Sequence, residues 1–157
     1  MKIEIKPATM ENLKDIQDLN LLLRKNLINE FNHELNQKWS IEKGGEEFFR
    51  YSISNKNACS FVAIADEKII GYLVGSICDE DLSRTIPISA EIDSFFVSDK
   101  FQSHGIGTRL YSTFIDWARS KNIKRIRVET LAGNVRGIKF YQKCGMHDHD
   151  LILECEI

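Results

Sequence analysis

A glycine-rich turn in the second half of the chain carries the clearest chemical signal in this sequence. The stretch Gln102-Ser103-His104-Gly105-Ile106-Gly107 follows a run typical of a buried strand and precedes a run typical of an amphipathic helix. The first backbone N–H groups of a helix have no intrahelical acceptor, and the helix dipole places partial positive charge beside them. The two glycines let a ligand approach the backbone closely. We therefore predict that this turn binds a phosphate or pyrophosphate group.

A second polar constellation follows the strand after that helix. Asn134, Gly137 and Tyr141 are three and four residues apart, so a helix presents all three on one face. Asn134 is also a good N-cap for a helix that continues through Lys143 and stops at Gly145. Each residue taken alone has a structural explanation: Asn134 as an N-cap, Gly137 as a weak helix former and Tyr141 as a core aromatic. Taken together, they place an amide, a gap and a phenol along one surface of the helix.

Two carboxylates precede the glycine turn on a long apolar strand, predicted over residues 88–98. Strict alternation of side chains predicts two faces, one with Glu91, Asp93, Phe95 and Val97 and the other with Ile92, Ser94 and Phe96. A carboxylate in this position suits proton transfer or the binding of a cation. Exposure to solvent at a sheet edge explains the two acids as well.

The elements that position these residues follow from the hydrophobic periodicity. Residues 2–6 alternate like a strand, and apolar residues at helical spacing predict a helix that is capped by Thr9 and extends to Asn36. A short helix is predicted after Ser40, and residues 60–65 and 69–77 predict a β-hairpin.

The second half continues this order of elements. Gly75 is interpreted as a bulge in the second hairpin strand, and the polar residues 79–87 as an exposed loop. A helix over 106–120, a strand over 125–131 and a terminal strand over 151–157 complete the prediction.

Composition narrows the class of protein. At 157 residues and 43% hydrophobic, the chain is expected to form one domain, residues 1–157. A net charge of −2 and the absence of long basic runs argue against a nucleic-acid partner, and no apolar run reaches the ~20 residues of a membrane span. Four scattered cysteines favour reduced thiols in the core and a soluble, cytoplasmic protein. The spacing of His147 and His149 does not favour a metal site.

The two constellations together resemble the signatures of the GNAT superfamily of acetyl-CoA-dependent N-acetyltransferases. Gln102, Gly105 and Gly107 fill the family's first motif, and the run from Asn134 to Met146 resembles its second. Gly137 stands where alanine is usual and Met146 where phenylalanine is usual, so a small and a large apolar residue are retained. The resemblance implies a mixed α+β fold: a central, twisted, mostly antiparallel sheet with splayed strands at the coenzyme A site and helices on both faces.

The resemblance also implies roles for single residues. The turn, Gln102 through Gly107 with Thr108, would hold the coenzyme A pyrophosphate, and the strand end at Phe95, Phe96 and Val97 would pair with the pantetheine arm. Asn134 and Gly137 would line that arm, and Tyr141 would protonate the leaving thiolate. The spacing of Glu91 resembles the catalytic glutamate of histone-acetylating members, so Glu91 is the first candidate for the base. Asp93 and a water chain remain open as alternatives.

The function that the resemblance implies is acetyl transfer from acetyl-CoA to a primary amine of a small molecule or peptide, by direct attack through a tetrahedral intermediate. No metal is expected. The alternative is a non-catalytic acyl-CoA-binding regulatory module on the same fold. A homodimer is one option for the assembly. Neither the amine nor a preference for an acyl group other than acetyl follows from the sequence.

Overall fold

The computed structural model describes residues 2–31 and 34–157. Five strands and four helices follow one another along the chain: β1 (Ile3–Pro7), α1 (Leu13–Glu30), α2 (Lys43–Ser54), β2 (Ala58–Ala65), β3 (Lys68–Ile77), β4 (Ser89–Val97), α3 (Ile106–Ser120), β5 (Arg125–Val128) and α4 (Val135–Lys143). Single 3₁₀ turns precede α1, α2 and α3. This order agrees with the elements expected from periodicity, apart from the terminal strand.

The five strands form one sheet in the order β1-β2-β3-β4-β5. The first four strands pair antiparallel, and only β4 and β5 run parallel. Pairing between β4 and β5 joins Ser89–Ile92 to Arg125–Val128 and, among the described residues, goes no further. The second half of β4 therefore has an open edge. The predicted mixed α+β fold with splayed strands is confirmed.

Helices cover both faces of the sheet, each over its own hydrophobic core. On what we call the α3 face, side chains of α3 pack against the sheet, with Leu73, Ile92, Val97, Leu110 and Phe114 among the buried residues. On the α1/α2 face, the two N-terminal helices pack against it, with Ile16, Phe49, Tyr72, Val74 and Phe96 buried. β4 and β5 separate after Ile92 and Val128, and we call this place the fork between β4 and β5.

A β-bulge in β4 changes which face each side chain occupies. Val74 pairs with Ser94 but Gly75 pairs with Ile92, so Asp93 is the extra residue and has no partner on β3. The bulge expected at Gly75 is confirmed, but its extra residue lies on β4. Strict alternation along β4 is therefore wrong: Phe95 and Val97 contact the α3 face, whereas Glu91, opposite Ser76, lies on the α1/α2 face.

Three predicted boundaries also differ. α1 ends at Glu30, and of the predicted extension to Asn36, residues 32 and 33 lie outside the described part of the chain. β5 ends at Val128 rather than at residue 131. Residues 151–157 form no strand, and Leu153 is 84% exposed. An alternating pattern makes a strand only where it pairs with a neighbouring edge, and residues 151–157 pair with none of the described strands.

Two further findings concern the burial of the cysteines and the search for a membrane-spanning helix. Of the four cysteines, all free, Cys59 is buried, Cys78 and Cys144 are half-buried and Cys155 is exposed. The expectation of core thiols is thus wrong for Cys155, because the terminal strand that would bury it is not formed. Within residues 2–31 and 34–157, no helix has the length and apolar character of a membrane span.

Candidate active site

The glycine turn connects β4 to α3 through two residues with positive φ. Ser103 has a φ of 64° and Gly105 a φ of 75°, after which α3 begins at Ile106. Only glycine adopts such a φ without strain, and a Cβ on Gly105 would meet no atom within 4 Å. Ser103, Gly105 and Thr108 are exposed, whereas Ile106 anchors the turn in the core. The free N–H groups of the first turn of α3 therefore face open space, as anion binding requires.

Side chains within the turn fix its shape. Gln102 donates through Nε2 to the Val97 carbonyl oxygen, at 2.7 Å, and to Oδ1 of Asp99, at 2.8 Å. His104 is exposed, and its Nδ1 lies 2.7 Å from the carbonyl oxygen of Gln102. Gln102 thus ties the end of β4 to the turn, and both side chains are already hydrogen-bonded within the protein.

The open half of β4 leads directly into this turn. Phe96 and Val97 are buried on opposite faces, and Phe95 is half-buried on the α3 face. A Cβ on Gly107 would lie 3.5 Å from Cζ of Phe95 and 3.4 Å from Cε2 of Phe140. The turn, the end of β4 and α4 therefore meet at one place. Unpaired backbone N–H and C=O groups along an open strand edge are ready to pair with an extended ligand.

Tyr141 packs beside this edge from α4. Its ring centroid lies 6.5 Å from that of Phe95 and 5.4 Å from that of Phe140. Burial raises the pKa of the Tyr141 phenol above its usual value, with smaller contributions from the nearby Cys144 and Tyr111. The phenol is therefore neutral at physiological pH, with a proton available, and its oxygen makes no hydrogen bond to any described residue.

Asn134 caps α4, as predicted. Its Oδ1 accepts a hydrogen bond of 3.0 Å from the Gly137 N–H, and its Nδ2 donates to Thr130 Oγ1 at 3.3 Å. A Cβ on Gly137 would lie 2.5 Å from Asn134 Nδ2. The missing side chain at Gly137 is thus what lets Asn134 fold over the first turn of α4. Gly137 and Tyr141 lie on one face of α4, four residues apart.

The two carboxylates of β4 have different surroundings. Glu91 forms an ion pair with Arg127 on β5, with Nε 3.5 Å from Oε2, and accepts a weak hydrogen bond from the Cys78 thiol at 3.8 Å. Asp93 accepts a hydrogen bond of 2.7 Å from Ser76 Oγ. Although Asp93 as a residue is exposed, its carboxyl group is partly desolvated, which raises its pKa to about 6. The charge of Glu91 raises this pKa further, while the Ser76 hydrogen bond lowers it.

A buried polar network beside the bulge was not predicted. The Tyr72 hydroxyl lies 2.7 Å from Ser94 Oγ, and Asn20 on α1 donates to both, at 2.8 and 3.2 Å. Arg24 in turn donates to Asn20 Oδ1 at 3.1 Å. Burial raises the pKa of Tyr72 to about 12, so its hydroxyl stays neutral. This network fixes α1 to the sheet next to Asp93. In the sequence, the network is indicated only by polar residues within otherwise apolar elements.

The end of α1 also approaches the loop between β5 and α4. A Cβ on Gly133 would lie 3.3 Å from Cδ1 of Phe31, and Asn26 Nδ2 donates to Asp99 Oδ2 at 3.3 Å. α1 therefore runs across the fork between β4 and β5 on the α1/α2 face. A molecule that enters the fork from this face must pass the end of α1.

Other concave surfaces lie away from the fork. Two cavities of about 530 and 540 Å³ are lined mainly by β1, α1 and the β2–β3 hairpin, including Lys6 in one and Lys100 in the other. Neither contains Glu91, Asp93 or Tyr141. No group of three or more His, Cys, Asp or Glu residues suited to a metal occurs within the described ranges.

Known proteins that are similar to this chain in sequence or fold include acetyltransferases. N-alpha-acetyltransferase 30 of Schizosaccharomyces pombe is 26% identical over 112 residues, which are 71% of this chain and 73% of that protein. Two solved structures share the fold. One, from Clostridium acetobutylicum, is described as a predicted acetyltransferase with acetyl-CoA; it has a TM-score of 0.77 and 18% identity, covering 99% of this chain and 96% of that one.

The other solved structure is an aminoglycoside antibiotic 6′-N-acetyltransferase from Acinetobacter baumannii. It has a TM-score of 0.74 and 17% identity, and the match covers 99% of this chain and 98% of that one. Similarity at this level of identity concerns the fold. The sequence itself matches a model of the acetyltransferase (GNAT) family over residues 24–146, a range that includes both carboxylates, the glycine turn and α4. The resemblance seen in the two motifs is thereby confirmed, and the chain belongs to the GNAT acetyltransferase family.

Proposed function

We propose that this protein transfers an acetyl group from acetyl-CoA to a primary amine of a small molecule or peptide, by direct attack of the amine on the thioester. The observation that carries the proposal is the open edge of β4, which runs without interruption into the glycine turn at the start of α3. An extended arm that ends in a pyrophosphate matches that sequence of features. The family membership of the chain supports the same donor.

The donor would bind along this edge. The N–H groups from Ser103 to Thr108 are suited to the pyrophosphate, because the first turn of α3 leaves them without helical acceptors. Backbone groups of Phe95 to Val97 would pair with the pantetheine arm, and one of their N–H groups would stabilise the developing oxyanion of the tetrahedral intermediate. The Asn134 amide, at the start of α4, would hydrogen-bond the same arm.

Tyr141 would act as the general acid for the departing thiolate. Burial raises the pKa of the Tyr141 phenol, which by itself makes it a weaker acid. The same surroundings act on thiols, however, because burial also raises the pKa of the neighbouring Cys144. A thiolate formed beside Tyr141 is destabilised in the same sense, which makes it a stronger base toward the phenol proton.

The acceptor side of the fork suits a cationic amine. Glu91 and Asp93 both lie on the α1/α2 face, and the loop after β3 adds Asp79, Glu80 and Asp81. An amine of lysine-like pKa, ~10.4, arrives as an ammonium ion and is attracted to such a surface. The relatives named as an N-alpha-acetyltransferase and an aminoglycoside acetyltransferase indicate two amine classes to test.

The setting that we infer for this reaction is the cytoplasm. All four cysteines are free thiols in the structure, including the exposed Cys155. Free thiols of this kind persist in a reducing compartment.

The test is an acetylation assay with acetyl-CoA and a panel of polyamines, aminoglycosides, amino acids and peptides with free N-termini or lysines, in which release of free thiol is measured. We expect amine-dependent release for at least one class. Tight binding of acetyl-CoA without release above hydrolysis for any amine would instead support the non-catalytic acyl-CoA-binding module.

A matched pair of variants tests the role of Tyr141. Tyr141→Phe removes a hydroxyl without a hydrogen-bond partner among the described residues, so we expect stability and acetyl-CoA affinity to change little and kcat to fall by about 10²-fold or more. Tyr51→Phe, at an exposed position of α2, is the control and should keep full turnover. Undiminished turnover in Tyr141→Phe would exclude the general-acid role.

A further inference from the structure

The position of Asp93 in the fold is unusual for a carboxylate. It is the bulge residue of β4, between Ile92, the last residue paired with β5, and Ser94, which resumes pairing with β3. Asp93 therefore stands at the fork where β4 leaves β5 and the open edge begins. Bulges commonly redirect a side chain next to an active site.

Glu91, by contrast, is engaged by its neighbours. Arg127 contacts it from β5, and the Cys78 thiol donates to the same oxygen, Oε2. Arg127 also binds Glu129, with Nη2 2.6 Å from Oε1, so Glu91 belongs to a chain of charges across β4 and β5. The contacts from Arg127 and Cys78 are both made to Oε2 of Glu91. The only hydrogen bond to Asp93 in the described structure comes from the neutral Ser76.

The distance along β4 places Asp93 near the acyl group of the proposed donor. Phe95 lies two residues farther along the strand, within roughly 7 Å at the usual rise of a strand. Phe95 also packs against Tyr141, on the α3 face. Asp93, bonded to Ser76, lies on the opposite, α1/α2 face. A base on one face and an acid on the other suit an addition in which the amine enters from one side and the thiolate leaves toward the other.

Three groups interact electrostatically with Asp93: Glu91 on β4 itself, Cys78 just after β3 and Cys59 on β2. Arg127 on β5 interacts with Glu91 and Cys78. Burial, which is the larger cause, raises the pKa of Cys59 to about 12 and that of Cys78 to about 11, so both thiols are neutral near pH 7 and leave Glu91 as the negative neighbour. A pKa of about 6 makes Asp93 a better proton acceptor than an ordinary aspartate, while it stays ionised at neutral pH.

We propose that Asp93, not Glu91, is the general base of the acetyl transfer, with Ser76 as the residue that positions it. The inference rests on the proposed function. The bound ammonium ion first loses a proton to water, which leaves the neutral amine. As the amine nitrogen bonds to the acetyl carbon, it becomes cationic, and Asp93 takes one of its protons. The C–S bond then breaks, and the leaving sulfur takes a proton from Tyr141. The products are the N-acetyl amine and free coenzyme A; Asp93 returns its proton to water and Tyr141 is reprotonated.

The experiment compares pH profiles of kcat/KM, calculated per neutral amine so that titration of the acceptor is removed. Wild type should lose activity as the pH falls below about 6. Asp93→Asn should lower kcat by 10²-fold or more with unchanged acetyl-CoA affinity. Asp116→Asn, an exposed carboxylate on α3, is the matched control and should behave as wild type.

Two further variants should shift, in opposite directions, the pH below which kcat/KM falls; we call this fall the acid limb of the profile. Ser76→Ala removes a hydrogen bond that favours the charged form of Asp93, so the limb moves to higher pH. Glu91→Gln removes the nearby negative charge, so the limb moves to lower pH. A merely structural role of Ser76 would not move the limb.

The outcomes separate this inference from the proposed function. Loss of turnover in Glu91→Gln together with near-normal turnover in Asp93→Asn overturns the inference and assigns the base to Glu91. Unshifted acid limbs in both Ser76→Ala and Glu91→Gln overturn it as well, since the limb then belongs to another group. If no protein, wild type included, releases thiol with any amine, the proposed function fails and the inference fails with it.

Discussion

The contact between Asn134 and Gly137 leads to a quantitative prediction about Gly137→Ala, the change toward the residue that is usual in the family. The new Cβ would lie 2.5 Å from Asn134 Nδ2, 3.0 Å from its Cγ and 3.1 Å from its Oδ1. Asn134 must therefore rotate away, and its cap on the Gly137 N–H is lost, which costs about 1 kcal/mol. Alanine in place of glycine in a helix contributes about 0.5 to 1 kcal/mol of stability. The net change in the free energy of unfolding should be near zero.

A double-mutant cycle separates the two effects. In the Asn134→Ala background the cap is already absent and no clash remains, so Gly137→Ala should stabilise by the full ~0.5 to 1 kcal/mol. The matched control is Gly44→Ala in α2, where a Cβ would lie at an ordinary 3.7 Å from Trp39 Nε1 and should give the unopposed gain. The assay is urea unfolding of the single and double variants. Equal stabilisation by Gly137→Ala in both backgrounds would refute the reasoning.

The same variants report on the donor site. Gly137→Ala releases the Asn134 amide from the helix cap without removing it, so acetyl-CoA affinity should be retained or improved. Asn134→Ala removes the amide, and the loss of one hydrogen bond, about 1 kcal/mol, corresponds to an affinity about fivefold weaker. Isothermal titration measures both. Equal affinities of wild type and Asn134→Ala would exclude a contact between this amide and the donor.

Four further expectations follow from the structure. Gly105→Ala forces a side chain into a φ of 75° in open space, so it should lower stability by about 1 kcal/mol in urea unfolding and weaken acetyl-CoA binding, whereas Gly105→Asn should do less harm. Gly75→Ala should prevent cooperative unfolding or expression, because its Cβ would lie 2.4 Å from Cε2 of Phe114 in the core. Leu153→Lys should change the melting temperature by less than about 2 °C, because Leu153 is 84% exposed; a larger loss would show that residues 151–157 are packed. Asp93 has a raised pKa, so its protonated form is favoured by folding and its contribution to stability falls as the pH rises from about 4 to 6; Asp93→Asn should therefore be more stable than wild type at pH 8 and equal to it at pH 3.5.

Local signals in the sequence predicted the conformation of the glycine turn and the N-cap of α4 well. The glycine turn and the N-cap of α4 depend on residues close in sequence, so Gly105 at the start of α3 and Asn134 on the Gly137 N–H are found where they were expected. The surroundings of Asp93, on the proposed acceptor side, depend on register between strands. Ser76 carries no chemical signal until β3 pairs with β4 and brings its hydroxyl to Asp93. The terminal segment shows the same limit, since a pattern of alternation cannot supply a partner strand.

The bulge in β4 explains how one strand can serve two faces of the sheet. Phe95 and Val97 belong to the core on the α3 face, and in a regular strand Asp93 and Glu91 would point into that core with them. Burying two unpaired carboxylates there would cost several kcal/mol each. The extra residue shifts the alternation, so Glu91 reaches Arg127 and Asp93 reaches Ser76 on the opposite face. The requirement to keep the acids out of the core therefore also separates them from Tyr141, which is the arrangement that an acid and a base acting on opposite sides of a thioester need.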